Sequence, residues 1–411
     1  MPAIAFEHPE DVRAVVEGVE TFLRREVFPI HEKNEALLSD SSKKYNARGV
    51  FSDEVWGLVS QVRRAAADAG FYAMCAPESL GGGGMGHLAY FAAWERVFHL
   101  CGTKYWLGHH MISHWAKGPS PLIADLTPRA QEEYLPKLLS GDHTMCFGLS
   151  EPGAGSDAAG IGTQATPDGD GWRLTGSKIW TTNSPHADHV VVFAVTDPER
   201  AAQRKGGISA FLVPTDSPGF SREKIIKMWG SAGGDEAVLY FDDVRLEPHQ
   251  LIGTLHKGFA TAMLGVGLGR VYNCARAVGL SRWALEMAFD YVKVRKTFGR
   301  AVSEYQGVTF PLAHSAMEIH GAHLMSINVA RLMEAGLPAV KELAMAKAFA
   351  VESGARAIDR AIQAHGAIGM TNEMGLTEAY TTVRKINIAD GTNEILRRVI
   401  VKEMLGGNVD L

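Results

Sequence analysis

Cysteine is scarce in this sequence: Cys75, Cys101, Cys146 and Cys274 are the only four in 411 residues, and no two have CxxC spacing. That excludes a disulfide framework and a thiolate metal cluster, and it reads as reduced core thiols in a cytoplasmic protein. No apolar run approaches the roughly twenty residues needed to cross a bilayer. Long basic runs are missing too. With a net charge of -5, nucleic acid is excluded as the main partner, because a polyphosphate is bound by clustered Lys and Arg. The stretch Met1 to Glu10 carries acids and Pro9 in place of a basic segment and an apolar run, so no secretory signal is expected. Internal repeats and low-complexity tracts are absent as well. What remains is 46% hydrophobic and 21% charged, an ordinary globular balance in a chain long enough for two or three domains.

The hydrophobic period changes twice along the chain. Val12, Val15, Val16, Val19, Phe22 and Leu23, and later Val55, Leu58, Val59 and Val62, recur at helical spacing. This predicts an all-helical N-terminal domain over residues 1–143. Its glycine cluster, Gly81 to Gly84, lacks the Lys and Ser/Thr of a phosphate loop and reads as a flexible connection. Residues 144–255 carry short β-rich runs, Trp172 to Gly176, Val190 to Val195, Ile208 to Val213 and Ala237 to Phe241, separated by Gly, Pro and Asp clusters. They predict a middle β-barrel or sandwich domain. Residues 256–411 return to long helices, about 259–295, 303–335 and 338–364, and predict a helical bundle whose remaining apolar faces meet partner subunits. The fold class is therefore α+β and multi-domain.

Three segments carry chemistry. Phe147 to Asp157, FGLSEPGAGSD, places small residues and proline between Ser150 and Ser156, so that backbone and hydroxyls can approach a planar polar ligand. Lys178 to Asn183, KIWTTN, reads as a strand edge whose Trp180 can cover an aromatic ring while Thr182 hydrogen-bonds it. Asp390 is a lone carboxylate between Ile388, Ala389 and Gly391, where desolvation raises a pKa toward the range of a general base. Locally, Asp390 and Thr392 also read as caps of a helix beginning near Asn393. His110 and His114, four apart on an expected helix beside His109, lack the further ligands a zinc site requires, so no metal is expected.

Together with Pro77 to Gly86, Arg295-Lys296-Thr297-Phe298-Gly299, Tyr305-Gln306, Gln363-Ala364-His365-Gly366 and Asp390 to Glu394, these segments resemble the FAD-dependent acyl-CoA dehydrogenases nearly end to end. The resemblance implies an N-terminal helical domain, a middle β domain and a C-terminal four-helix bundle, assembled as a homotetramer. It implies that Leu149, Ser150, Trp180 and Thr182 hold the isoalloxazine ring and that Ser156 touches flavin and substrate. Arg295, Phe298, Gln306, Gln363 and Gly366 would hold the FAD pyrophosphate and adenosine across a subunit interface. Thr392 and Glu394 would border the cofactor, Glu standing where Gln is common. Arg270, Gly391 and Lys402 match substrate-contacting positions.

Asp390 stands where many members carry Glu, and the alternative base position of one subgroup is Gly269 here. The resemblance thus implies α,β-dehydrogenation of an acyl-CoA to the trans-2-enoyl-CoA, with Asp390 as base and an electron-transfer flavoprotein as electron acceptor. A flavin oxidase or monooxygenase of the same fold, similar to nitroalkane oxidases, and a non-catalytic FAD-binding relative remain alternatives.

Overall fold

The computed structural model describes residues 8–410. By compactness the chain divides into two units that do not follow chain order. One holds the described residues up to Pro29, Gly86–His109 and everything from Gly269 on; the other holds Ile30–Met85 and His110–Leu268.

The first unit is helical. Helix α1 (Glu10–Phe22) buries Val12, Val19 and Phe22. The second unit contributes α2 (Asp53–Asp68), started by Ser52, whose hydroxyl accepts the Val55 amide. In the first unit, α3 (His87–Cys101) is buried nearly all round through Leu88, Phe91, Trp94 and Phe98. Helix α4 (Pro128–Leu139), in the second unit, begins with Thr127 as cap and proline at its first position. The expected flexible connection at the glycine cluster is instead a packed turn. A Cβ at Gly82 or Gly83 would strike the backbone of Ala76 or Met74, so glycine there allows close approach.

The second unit is built on one eight-stranded sheet. Its strands are β1 (Met145–Gly148), β2 (Gln164–Asp168), β3 (Gly171–Thr182), β4 (His189–Val195), β5 (Ile208–Pro214), β6 (Phe220–Ile226), β7 (Glu236–Leu246) and β8 (Leu251–Ile252). The order is β6-β7-β3-β2-β4-β5-β8, and β1 pairs β4 in parallel. Alternate residues of β4 serve two cores. Val191, Phe193 and Val195 join Ala130, Tyr134 and Leu135 of α4. Val190, Val192 and Ala194 join Leu174 of β3 with Ala237, Leu239 and Phe241 of β7, so the sheet folds over its own interior. The sequence runs located the first half of β3, β4, β5 and the middle of β7. They missed β1, β2, β6 and β8, whose polar or short stretches have little β signal.

From residue 269 the first unit continues through α5 (Gly258–Val294), α6 (Gln306–Glu334), α7 (Val340–His365), α8 (Leu376–Ile386) and α9 (Asn393–Leu405). Helix α7 packs against α6, α8 and α9. Its buried face is mostly small, including Ala344, Ala348, Gly354, Ala357 and Ala361, which permits close helix contact. Two buried lysines, Lys341 and Lys347, interrupt that face. No helix among the described residues is long and apolar enough to cross a membrane. His110 and His114 do not share a helix. His110 ends a short 3-10 turn, Trp106–His110, and the His114 ring accepts the Ala116 amide beyond it.

Candidate active site

In the sheet unit, the loop after β1 is held from behind by Lys178 of β3. Its fully buried ammonium donates to the Leu149 carbonyl at 3.2 Å and to Oε1 of Glu151 at 2.6 Å. Glu151 also accepts the amides of Gly162 at 2.6 Å and Thr163 at 3.0 Å. Burial pulls the Lys178 ammonium down to about 8 against the raising influence of Glu151. Burial alone would raise the Glu151 carboxyl, but Lys178 and the two amide contacts hold it below the usual range. The Ser150 carbonyl accepts the Ile179 amide at 2.9 Å, joining the loop to the strand.

On its exposed side the loop is tied near its end, where Asp157 Oδ2 accepts from Arg204 at 2.6 Å. Ideal Cβ atoms at Gly153 and Gly155 would meet nothing within 4 Å, and neither glycine has a positive φ. Packing and backbone conformation therefore do not require glycine at either position, whereas approach of a ligand would. Ser156 is exposed and Leu149 buried. Trp180 lies where the β3–β7 register shifts, at φ 62°, with 54% of its surface exposed. A tryptophan in the left-handed region is strained, and here its ring remains largely uncovered. Half-buried Thr182 closes β3 opposite Glu236. Asn183, also at positive φ, ties this end to β1 through Thr144 Oγ1 at 3.1 Å and the Met145 carbonyl at 2.9 Å.

In the helical unit, Asp390, Gly391 and Arg270 come together. Asp390 sits between α8 and α9 at φ 54°. Its Oδ2 accepts the side-chain amide of Asn273 at 2.7 Å, and its carbonyl accepts Nε of Arg270 at 3.0 Å. Lys347 donates to the Gly391 carbonyl at 3.0 Å and to Oδ1 of Asn393 at 3.2 Å. Burial raises the Asp390 carboxyl above the usual carboxylate value, opposed by Lys347, Arg270 and Asn273. Burial also pulls Lys347 down to about 8, opposed chiefly by Asp390. The Asp390 backbone N–H makes no hydrogen bond among the described residues. A desolvated carboxyl beside a free amide can accept a proton from carbon while the amide holds an adjoining carbonyl.

Of the two residues that could cap α9, Thr392 does so, its hydroxyl accepting the Ile395 amide at 3.3 Å; Asp390 faces Asn273 instead. Asn273, Lys347 and Asn393 were not among the expected site residues. A polar group inside the apolar runs of α5 and α7 was the available signal for the first two.

The remaining positions lie on the surface. Arg295 follows the end of α5 and opens a hairpin, Lys296–Thr297 against Arg300–Ala301. Phe298 and Gly299 form its two-residue turn, both at positive φ, and Phe298 is 97% exposed. Gln306, Gln363, Gly366, Glu394 and Lys402 are exposed. Among the described residues, the side chains of Arg295, Gln306 and Gln363 make no hydrogen bonds, so no such bond joins them into one site.

Comparison with known proteins finds matches along nearly the whole chain. The descriptions "Acyl-CoA dehydrogenase, N-terminal domain", "middle domain" and "C-terminal domain" match residues 9–142, 146–244 and 256–405. The chain is 34% identical to the probable acyl-CoA dehydrogenase YngJ of Bacillus subtilis, over 97% of this chain and 99% of that protein. It is 35% identical to the human mitochondrial short-chain specific acyl-CoA dehydrogenase, over 97% and 91% respectively. The solved butyryl-CoA dehydrogenase of Megasphaera elsdenii superposes with a TM-score of 0.81 at 27% identity, covering 98% of this chain and 100% of that one. The chain belongs to the acyl-CoA dehydrogenase family, as an enzyme of that class with FAD as cofactor.

Proposed function

We propose that this enzyme catalyses α,β-dehydrogenation of a short-chain acyl-CoA, with Asp390 as the base that removes the α-proton. The observation that carries this reading is the Asp390 carboxyl itself, raised by burial yet faced by Lys347, Arg270 and Asn273. Burial makes the carboxylate more basic, and the surrounding cations and amide keep an ionised fraction available. The free Asp390 amide is suited to the thioester carbonyl, where hydrogen bonding stabilises enolate-like charge and acidifies the α-carbon. Arg270 and Gly391 border the same point, and Lys402 suits the anionic CoA moiety. The product is the trans-2-enoyl-CoA. The short acyl chain is suggested by the similarity to the human short-chain enzyme.

The residues present fit FAD. The open faces of Gly153 and Gly155, with Ser150, Ser156 and Thr182 alongside, suit a flat polar ring, and Leu149 and the uncovered Trp180 supply apolar contact. Arg295, Phe298, Gln306, Gln363 and Gly366 suit pyrophosphate and adenosine, and their exposure in a single chain supports a site completed by a second copy. Thr392 and Glu394 would border the cofactor, while the assembly expected is a homotetramer. FAD, when bound, supplies the acceptor for the β-hydride. The electron-transfer flavoprotein is the acceptor implied for the reduced enzyme.

Anaerobic bleaching of the flavin against straight, branched, cyclic and hydroxylated acyl-CoAs tests the assignment. Bleaching by short acyl-CoAs that disappears in Asp390→Asn is expected. Bleaching that persists in that variant removes Asp390 from the role.

A further inference from the structure

The two oxygens of the Asp390 carboxyl are in different circumstances. Asn273, 2% exposed on α5, donates its side-chain N–H to Oδ2 at 2.7 Å. The charged groups facing the carboxyl are Lys347 from α7 and Arg270 from α5. Their hydrogen bonds go elsewhere: Lys347 to Gly391 and Asn393, and Arg270 to the Asp390 carbonyl. Cys274 and Glu394 face Lys347. Among the described residues, nothing is hydrogen-bonded to Oδ1.

Resting on the reading of Asp390 as base, we propose that Asn273 is a positioning residue that fixes the Asp390 rotamer and makes Oδ1 the oxygen that receives the substrate α-proton. The amide N–H can only donate, so it remains on Oδ2 whether the carboxyl is ionised or protonated. The arriving proton must therefore reside on Oδ1. In the step, the Cα–H bond breaks and the Oδ1–H bond forms. The electron pair left on Cα becomes the second Cα–Cβ bond as hydride departs from Cβ to the FAD acceptor. An aspartate has a shorter reach than a glutamate and one fewer torsion with which to correct its aim. A fixed rotamer matters more for it, since displacements on the order of 1 Å cost about a hundredfold in rate.

Asn273→Leu and Asn273→Asp separate this role from one in folding. Each keeps approximate size; the first removes the donor, and the second replaces the obligate donor with a carboxyl that competes with Asp390 for a proton. The probes are butyryl-CoA for flavin reduction and a 3-thia-acyl-CoA for α-hydrogen exchange with deuterated solvent, which requires the base without net oxidation. Both variants are expected to retain FAD. Exchange at neutral pH should slow by roughly tenfold or more, and the acid limb of exchange and reduction should move to higher pH. Wild-type exchange and an unmoved limb in an FAD-loaded variant would overturn the inference. So would failure of both variants to fold or hold FAD, which would make Asn273 a residue of the fold. Failure of the underlying reading looks different, because Asp390→Asn would then continue to exchange the α-hydrogen.

Discussion

Nζ of Lys347 lies 3.0 Å from the carbonyl oxygen of Gly391, so a fully buried ammonium on α7 is fastened to the backbone immediately after Asp390. This contact holds the turn and places a positive charge facing the carboxyl. In Lys347→Met, the Gly391 carbonyl and Asn393 Oδ1 lose a donor, and stability is expected to fall by about 1–3 kcal/mol. The pH consequence is more specific. Because Lys347 lowers the Asp390 pKa, its removal should move the acid limb of flavin reduction to higher pH. A destabilised variant with an unmoved limb would leave Lys347 with a structural role alone.

Asp390→Asn should lower the rate of flavin reduction by about 10² to 10⁴, the usual cost of losing a positioned base. Its effect on stability should have the opposite sign. The folded pKa of Asp390 is raised, so its favourable contribution is fully present below the unfolded pKa and lost as pH rises through the folded one. At neutral pH the ionised carboxylate therefore costs stability. The asparagine variant is expected to match or exceed the wild-type Tm at pH 7, and to lose any such advantage in acid. A marked fall in Tm at pH 7 would contradict this linkage.

Lys178 and Glu151 predict a stability effect behind the proposed flavin loop. Lys178→Met leaves Glu151 inside with only the Gly162 and Thr163 amides, and loss of one partner of a buried pair costs about 3–5 kcal/mol. Adding Glu151→Gln removes the stranded charge and should recover part of that loss. Denaturant unfolding of the single and double variants measures the coupling. Equal stability of the two would show that Glu151 is comfortable without Lys178.

Trp180 combines a strained φ of 62° with a side chain only partly covered by the polypeptide, the residue being 54% exposed. In Trp180→Gly, relief of about 1–2 kcal/mol of backbone strain is set against the lost partial burial and the entropy of glycine, so apo-protein stability should change little. FAD retention should fall in the same variant, because the proposed cover of the ring is gone. Apo-protein melting and the flavin-to-protein absorbance ratio check the two halves separately, and undiminished FAD retention would remove Trp180 from the site.

Legibility followed burial. The strands β4 and β5 and the long helices α5 to α7 were readable because hydrophobic runs announce them, with ends within a few residues of those expected. The expectation that Ile388 and Ala389 would surround the Asp390 carboxylate does not hold, since both are exposed; the groups that face it come from α5 and α7. Its partners Asn273 and Lys347 were harder to find because they are 117 and 43 positions away, and only tertiary packing brings them to it. The short β1 and the polar β6 take their conformation from neighbours. The loop glycines Gly153 and Gly155, expected to permit approach, face open space, whereas Gly82 and Gly83 have the same composition and serve internal packing.

The hairpin after α5 gives a test in which fold and function separate. Phe298 and Gly299 both have positive φ, the geometry of a type I′ turn, where Asn-Gly is strongly favoured and a phenylalanine at the first position is strained. Phe298 is 97% exposed, so removing its ring from an isolated chain sacrifices almost no burial. Phe298→Asn should accordingly preserve or strengthen the hairpin. If the ring serves a site completed by another copy, the same variant should lose FAD and shift toward smaller assemblies, by absorbance ratio and light scattering. Arg295→Ala should likewise weaken FAD retention while leaving the chemistry of the flavin that remains bound little changed. Unaltered FAD content in both variants would exclude the hairpin from the cofactor site, and unaltered mass in Phe298→Asn would exclude its ring from the subunit contact.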